Sequence, residues 1–139
     1  MPKLIMCRGI PGSGKSYWAA AQKDAVVVTR SDIRKEMGLP CEHGKSKEFL
    51  VENEAEWRII KGLKEGKTVI SADMNLSSKS ERRLRHLAKI LKADFEIKEF
   101  DTLLEICFER DSKRDDYHRV GREKIVMFRK KWRERKEEQ

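Results

Sequence analysis

Gly9-Ile10-Pro11-Gly12-Ser13-Gly14-Lys15-Ser16 decides how this chain is read. The stretch meets the pattern GxxxxGK[ST] at every fixed position. Before it, Lys3 to Gly9 carries Leu4, Ile5, Met6 and Cys7 in an apolar run, the mark of a short buried strand. After it, Lys15 to Lys23 carries Trp18 and three alanines and reads as a helix. Strand, glycine turn and helix are the context this motif needs. The glycines let the backbone curl so that consecutive N–H groups converge on phosphate oxygens. The helix N-terminus adds favourable dipole charge. The cradle is then Gly9, Pro11, Gly12, Ser13, Gly14, Lys15 and Ser16. Lys15 is expected to reach the β- and γ-phosphates of a nucleoside triphosphate such as ATP, and Ser16 to ligate Mg²⁺.

The rest of the chain repeats the alternation. Ala25 to Thr29 is a valine-rich strand, and Ser31 is placed to cap a short helix ending near Gly38. Gly38 to Lys47 reads as a loop broken by Pro40 and Gly44. Phe49, Asn53, Trp57 and Ile60 then share one face of a helix ending near Gly62. Lys67 to Ser71 is a third strand. Ser78 and Glu81 have capping-box spacing before a helix whose apolar stripe is Leu84, Leu87, Ala88 and Leu91. Asp94 to Phe100 is a fourth strand, and Thr102 with Glu105 marks another capping box. Residues 111–119 are almost wholly polar, as in a mobile loop. A last helix from about 121 to 136 turns Ile125, Phe128 and Trp132 inward. Four strands alternating with helices predict one α/β domain over 1–139. Its sheet is parallel, with helices on both faces.

In such a sheet ligands bind beyond the C-terminal strand ends. The second strand ends at Arg30-Ser31-Asp32-Ile33-Arg34-Lys35. Asp32 is placed to take a proton from an attacking hydroxyl, and Arg34 or Lys35 to hold a substrate phosphate. The third strand ends at Ser71-Ala72-Asp73-Met74-Asn75, where Asp73 and Asn75 offer hydrogen bonds to substrate. Arg110, Lys113, Arg114 and Arg119 flank the polar loop, which reads as a lid neutralising charge on a transferring phosphoryl group.

Net charge is +8, and residues 110–136 hold twelve basic against five acidic side chains. A positive field concentrated in one segment points to a polyanionic partner, with nucleic acid foremost. The plainer reading is a solvated lysine-rich helix. The cysteines Cys7, Cys41 and Cys107 form no CxxC pair, which argues against a zinc site or disulfide framework. No long apolar stretch opens the chain, so neither a signal peptide nor a membrane span is expected, and a cytoplasmic setting fits.

Taken in order, these elements resemble the kinase module of phage-type polynucleotide 5′-kinases, a P-loop phosphotransferase. The resemblance rests on Gly9–Ser16 with Trp18, Arg30-Ser31-Asp32-Ile33-Arg34 and Ser71-Ala72-Asp73-Met74-Asn75-Leu76. It continues through Glu81-Arg82-Arg83-Leu84, Arg110-Asp111-Ser112-Lys113-Arg114 and Val120-Gly121. It implies transfer of the ATP γ-phosphate to the 5′-OH of DNA or RNA. Lys15 and Ser16 would serve as phosphate and Mg²⁺ contacts, Arg110 and Arg114 as nucleotide-binding lid arginines, and Asp73 at the acceptor. Such kinases are often fused to a 3′-phosphatase module, for which this length leaves no room. Relatives commonly place the catalytic Asp three residues before the substrate-binding Arg, where this chain has Ser31. Either Asp32 is the base, with Lys35 in the arginine's place, or Ser31 has replaced the base and catalysis is weakened. Met74 stands where a threonine is common. The alternatives are a nucleoside or small-molecule kinase, and a nucleotide-binding protein without turnover.

Overall fold

The structure, a computed structural model, describes residues 1–40 and 44–138, the side chains of 137 and 138 excepted. Cys41 and the middle of the expected 38–47 loop lie outside the described residues. In chain order the elements are β1 (Lys3–Arg8), α1 (Lys15–Ala20), β2 (Ala25–Val28), α2 (Arg30–Glu36) and α3 (Lys45–Lys64). Then come β3 (Thr68–Ser71), α4 (Ser78–Ile90), β4 (Asp94–Glu99), α5 (Leu104–Ser112) and α6 (Arg122–Glu138). The four strands form one parallel sheet in the order β2-β3-β1-β4. The expected P-loop kinase architecture is present.

Strand periodicity sorts the core into two layers. On β1, Leu4 and Met6 point to one face, where Val51, Ala55, Ile59 and Leu63 of α3 and Leu84, Leu87 and Ala88 of α4 cover them. Ile5 and Cys7 point to the other face, against Ala19 of α1, with Trp18 and Phe100 packed edge to face at 5.9 Å. A third cluster, Ile10, Cys107 and Ile125, ties α5 and α6 to the glycine loop. Because α1 and α4 cover opposite faces, a crevice opens at the C-terminal ends of β1 and β3.

The structure corrects several local expectations. The inward face of α3 is Val51, Ala55, Ile59 and Leu63, whereas Phe49, Asn53 and Trp57 are exposed. Two stripes of helical period coexist there, and the smaller one wins because α3 lies close on the sheet. A β-carbon at Gly62 would stand 2.6 Å from Val69 Cγ2. Thr29, not Ser31, caps α2, its hydroxyl accepting from Asp32 N–H at 3.2 Å. Ser77, not Ser78, caps α4, accepting from Ser80 N–H at 3.1 Å. Glu81 instead receives Arg8 and Arg85. Thr102 caps nothing: its hydroxyl donates to Ser13 O at 2.8 Å, and α5 begins without a side-chain cap. Helix α1 ends at Ala20, and α5 runs into the expected lid as far as Ser112.

Candidate active site

The glycine loop leaves β1 and turns back through two left-handed residues, Gly12 (φ +82°) and Gly14 (φ +107°). Space as well as torsion demands glycine at position 12. A β-carbon there would lie 2.5 Å from Cys107 O. The loop is braced from outside: Gly9 N–H donates to Met74 O, and Arg110 donates to Gly12 O at 3.3 Å. Lys15 is buried, its ammonium donating to Gly9 O and Ile10 O at 2.8 Å and to Ser13 Oγ at 3.4 Å. Burial pushes this ammonium down to about 8, and the nearby Arg114 charge acts in the same direction. Ser16 stands exposed at the start of α1.

Over the strand ends lies a cleft of about 760 Å³, to which Pro11, Lys15 and Ser16 contribute the nucleotide-side wall. The facing wall is Arg30, Ser31, Asp32 and Arg34 of α2 with Asp73 and Met74 beyond β3. Segment 114–120 roofs it. Three expected catalytic side chains, Lys15, Asp32 and Arg114, thus line one cleft.

Of the carboxylates lining the cleft, Asp32 and Asp73 stand at the strand ends and have different surroundings. Asp73 accepts from Arg30 N–H at 2.9 Å through Oδ1, and its Oδ2 lies 3.4 Å from Arg30 Nε. Burial raises its pKa, with Arg30 and Lys15 pulling the other way. Asp32 sits in the first turn of α2, where the helix dipole favours a carboxylate, and its side chain is 63% exposed. Of these two, Asp32 is the one open to the cleft, while Asp73 fastens Arg30 to the end of β3.

Other expected contacts fall differently. Arg34 reaches the cleft, but its guanidinium forks onto Glu48 at 2.8 Å through both Nε and Nη2. Lys35 is exposed and forms no part of the cleft wall. Asn75, expected at the acceptor, is buried beneath it. Its amide donates to Cys7 O at 2.9 Å and to Ser71 Oγ at 3.2 Å, and its φ of +48° is one that asparagine tolerates. Asn75→Ala is expected to cost about 1–3 kcal/mol of stability by orphaning those acceptors. Acceptor KM should stay unchanged. Urea unfolding beside steady-state kinetics checks this, and unchanged stability with a raised KM would return Asn75 to the substrate.

The segment expected as a lid is built around a residue given no role from the sequence. Buried Asp111 accepts from Val120 N–H and Gly121 N–H, both at 2.9 Å, which closes the 112–119 segment into a compact loop. Arg114 lies 3.7 Å from the same carboxylate and faces the cleft. Arg119 also lines it, bonded to Asp116 and to Arg114 O. Lys113 points outward to Glu109. Sequence reading also assigned no role to Arg30, Tyr117 or His118. Arg30 had a signal, since it heads the quoted Arg30–Arg34 element. The other two had none, since Leu39 and Asp32, which they approach, are distant in the chain.

Of the basic segment, Arg129 turns inward, donating to Thr102 O at 3.0 Å, and Arg135 donates to Leu76 O. Lys130, Lys131 and Arg133 stay exposed. Among the described residues no His, Cys, Asp and Glu side chains cluster as a metal cage. Mg²⁺ needs no such cage when substrate phosphates supply most of its ligands, and the exposed Ser16 hydroxyl in the cleft fits that arrangement. No helix among the described residues is long and apolar enough to cross a membrane.

A family model described as an AAA domain matches residues 4–135. The chain is 27% identical over 143 aligned residues to the "Putative bifunctional polynucleotide kinase/RNA ligase" of Autographa californica nuclear polyhedrosis virus. That match covers 94% of this chain and 21% of the viral protein. Among solved structures, the chain is similar to one in the Pnkp1/Rnl/Hen1 RNA repair complex. The TM-score is 0.76 and the identity 28%, over 96% of this chain and 46% of that one. It shares its fold with the Mycobacterium tuberculosis APS kinase CysC, solved with AMPPNP and APS (TM-score 0.57, 21% identity, 81% of this chain and 69% of that one). This chain therefore spans about a fifth of the viral relative and under half of the RNA-repair chain.

Proposed function

This chain belongs to the AAA-domain family, and we propose that it is a polynucleotide 5′-hydroxyl kinase acting with ATP on the ends of DNA or RNA. The observation that carries the reading is the shared cleft. Lys15 of the phosphate loop, Asp32 of α2 and Arg114 of the lid line one space with a wall left over for an acceptor. Resemblance to a polynucleotide kinase/RNA ligase and to an RNA-repair chain supports a nucleic-acid acceptor over a metabolite.

In the proposed reaction the acceptor 5′-oxygen attacks the γ-phosphorus in line. The new P–O bond forms as the bond from the γ-phosphorus to the β,γ-bridging oxygen breaks, and ADP leaves. Asp32 takes the proton of the attacking hydroxyl. Lys15 turns from Gly9 O and Ile10 O onto the β- and γ-phosphates. Arg114 meets charge spreading over the transferring group, and Arg110 steadies the loop beneath. Ser16 would hold Mg²⁺, which when bound would neutralise part of the triphosphate charge. Lys130, Lys131 and Arg133 attract the strand's phosphates.

Incubating the protein with labelled ATP and Mg²⁺ over 5′-OH DNA, 5′-OH RNA and free nucleosides tests this. Label on an oligonucleotide 5′ end is expected, with acceptor affinity falling steeply as salt rises. Label on nucleosides alone, without salt dependence, would establish the small-molecule kinase. ATP binding with no label on any acceptor would establish a nucleotide-binding protein without turnover.

A further inference from the structure

The Asp32 carboxylate leaves α2 in its first turn and is mostly exposed, so nothing in its own helix fixes where it points. A general base needs a fixed aim, because a shift of about 1 Å away from the reacting atom can cost about 10²-fold in rate. Among the described residues, one side chain stands within ion-pair distance of that carboxylate: His118 of the lid, its Nε2 3.6 Å from Asp32 Oδ1.

His118 is itself held on its other side. Its Nδ1 lies 2.8 Å from Asp115 Oδ1, and the same oxygen accepts the His118 backbone N–H at 2.9 Å. These bonds hold the Asp115 carboxyl below its ordinary range, so it stays charged and orients the ring. The Tyr117 ring packs edge-on at 5.2 Å, and its hydroxyl donates to Leu39 O at 2.8 Å, just beyond the C-terminal end of α2. Arg114 reaches the His118 carbonyl at 3.5 Å. Residue 117 therefore bonds the lid just beyond the C-terminal end of α2, and residue 118 stands beside Asp32 at its N-terminal end.

We infer that His118, oriented by Asp115, is a positioning residue that aims Asp32 at the acceptor hydroxyl when the lid covers the cleft. The inference rests on the proposed kinase reading. It also accounts for how a carboxylate at position 32 serves in a chain with serine at position 31. The imidazole supplies from the lid a constraint that α2 does not supply itself.

A double-substitution cycle tests it. His118→Ala is expected to lower kcat on the order of 10- to 100-fold with ATP KM nearly unchanged, and His118→Gln, whose amide can reach Asp32, to restore part of the rate. In an Asp32→Ala background the same His118→Ala change should have little further effect, because the two side chains act as one unit. An equal loss in both backgrounds, or no loss in either, overturns the inference. A second arm needs no turnover. Amide exchange across residues 30–34 and 115–119 should quicken in both His118→Ala and Asp32→Ala, and unchanged exchange in both segments would overturn the contact. A chain that labels no acceptor yet shows the exchange change would defeat the kinase reading while keeping the His118–Asp32 tie.

Discussion

Lys15→Ala is expected to reduce phosphoryl transfer by on the order of 10³-fold, with the fold intact by circular dichroism. The side chain supplies the single positive charge inside the loop, buried where water does not screen it. Removing one preorganised charge or donor at a developing oxyanion costs about 10²–10³ in kcat. Single-turnover assays with labelled ATP provide the check, and a variant within about tenfold of the parent would remove Lys15 from the mechanism. The depressed pKa adds a pH signature. In the free protein the ammonium titrates near 8, because burial disfavours its charge. A bound triphosphate restores that charge, so ATP binding above pH 8 should take up a proton and weaken by about tenfold per pH unit. Titration calorimetry in buffers of different ionisation enthalpy measures the uptake, and Lys15→Ala should abolish it. Stability follows the same linkage. Between the folded value near 8 and the ordinary value of 10.5, the unfolded chain binds more protons. Lys15 therefore makes the free protein more stable as pH rises through that window.

Asp32→Asn is expected to lower kcat by about 10²–10⁴-fold, the usual contribution of a positioned general base, while ATP binding stays near normal. The amide keeps the shape and the α2 first turn but cannot take the acceptor proton. Ser31→Ala, at the position where the family resemblance expects the carboxylate, should change kcat only a few-fold. Both follow from the engagement of the two carboxylates at the strand ends. Both oxygens of Asp73 face Arg30, and Asp32 faces open space and the lid. Rates measured for the two variants under one set of conditions decide the matter. A large loss in Ser31→Ala beside full activity in Asp32→Asn would transfer the role to the serine and leave Asp32 a helix-dipole carboxylate.

Much of the architecture was legible because it is written in local spacing. The four strands lie within a residue or two of the expected spans, and Leu84, Leu87 and Ala88 mark the buried stripe of α4. Caps were legible only approximately. Thr29 and Ser31, or Ser77 and Ser78, have equivalent hydroxyls, and a one-residue difference in where the helix begins selects between them. The α3 face differs from expectation for another reason. Phe49, Asn53 and Trp57 have the right period, but what lies over the sheet depends on how closely the helix approaches it.

By itself the sequence determined the phosphate loop, the alternation of strand and helix, and the residues gathered at the strand ends. Each of these depends on neighbours in the chain, through backbone torsion at the glycines and periods of two and 3.6 residues. Only the tertiary structure decided the strand order β2-β3-β1-β4, the fork of Arg34 onto Glu48 and the burial of Asn75 under Cys7 O. It alone also decided the approach of His118 to Asp32. These are meetings of segments far apart in sequence. They are set by which sheet face each crossover covers and by the volumes that must fit between them, and no local spacing encodes either.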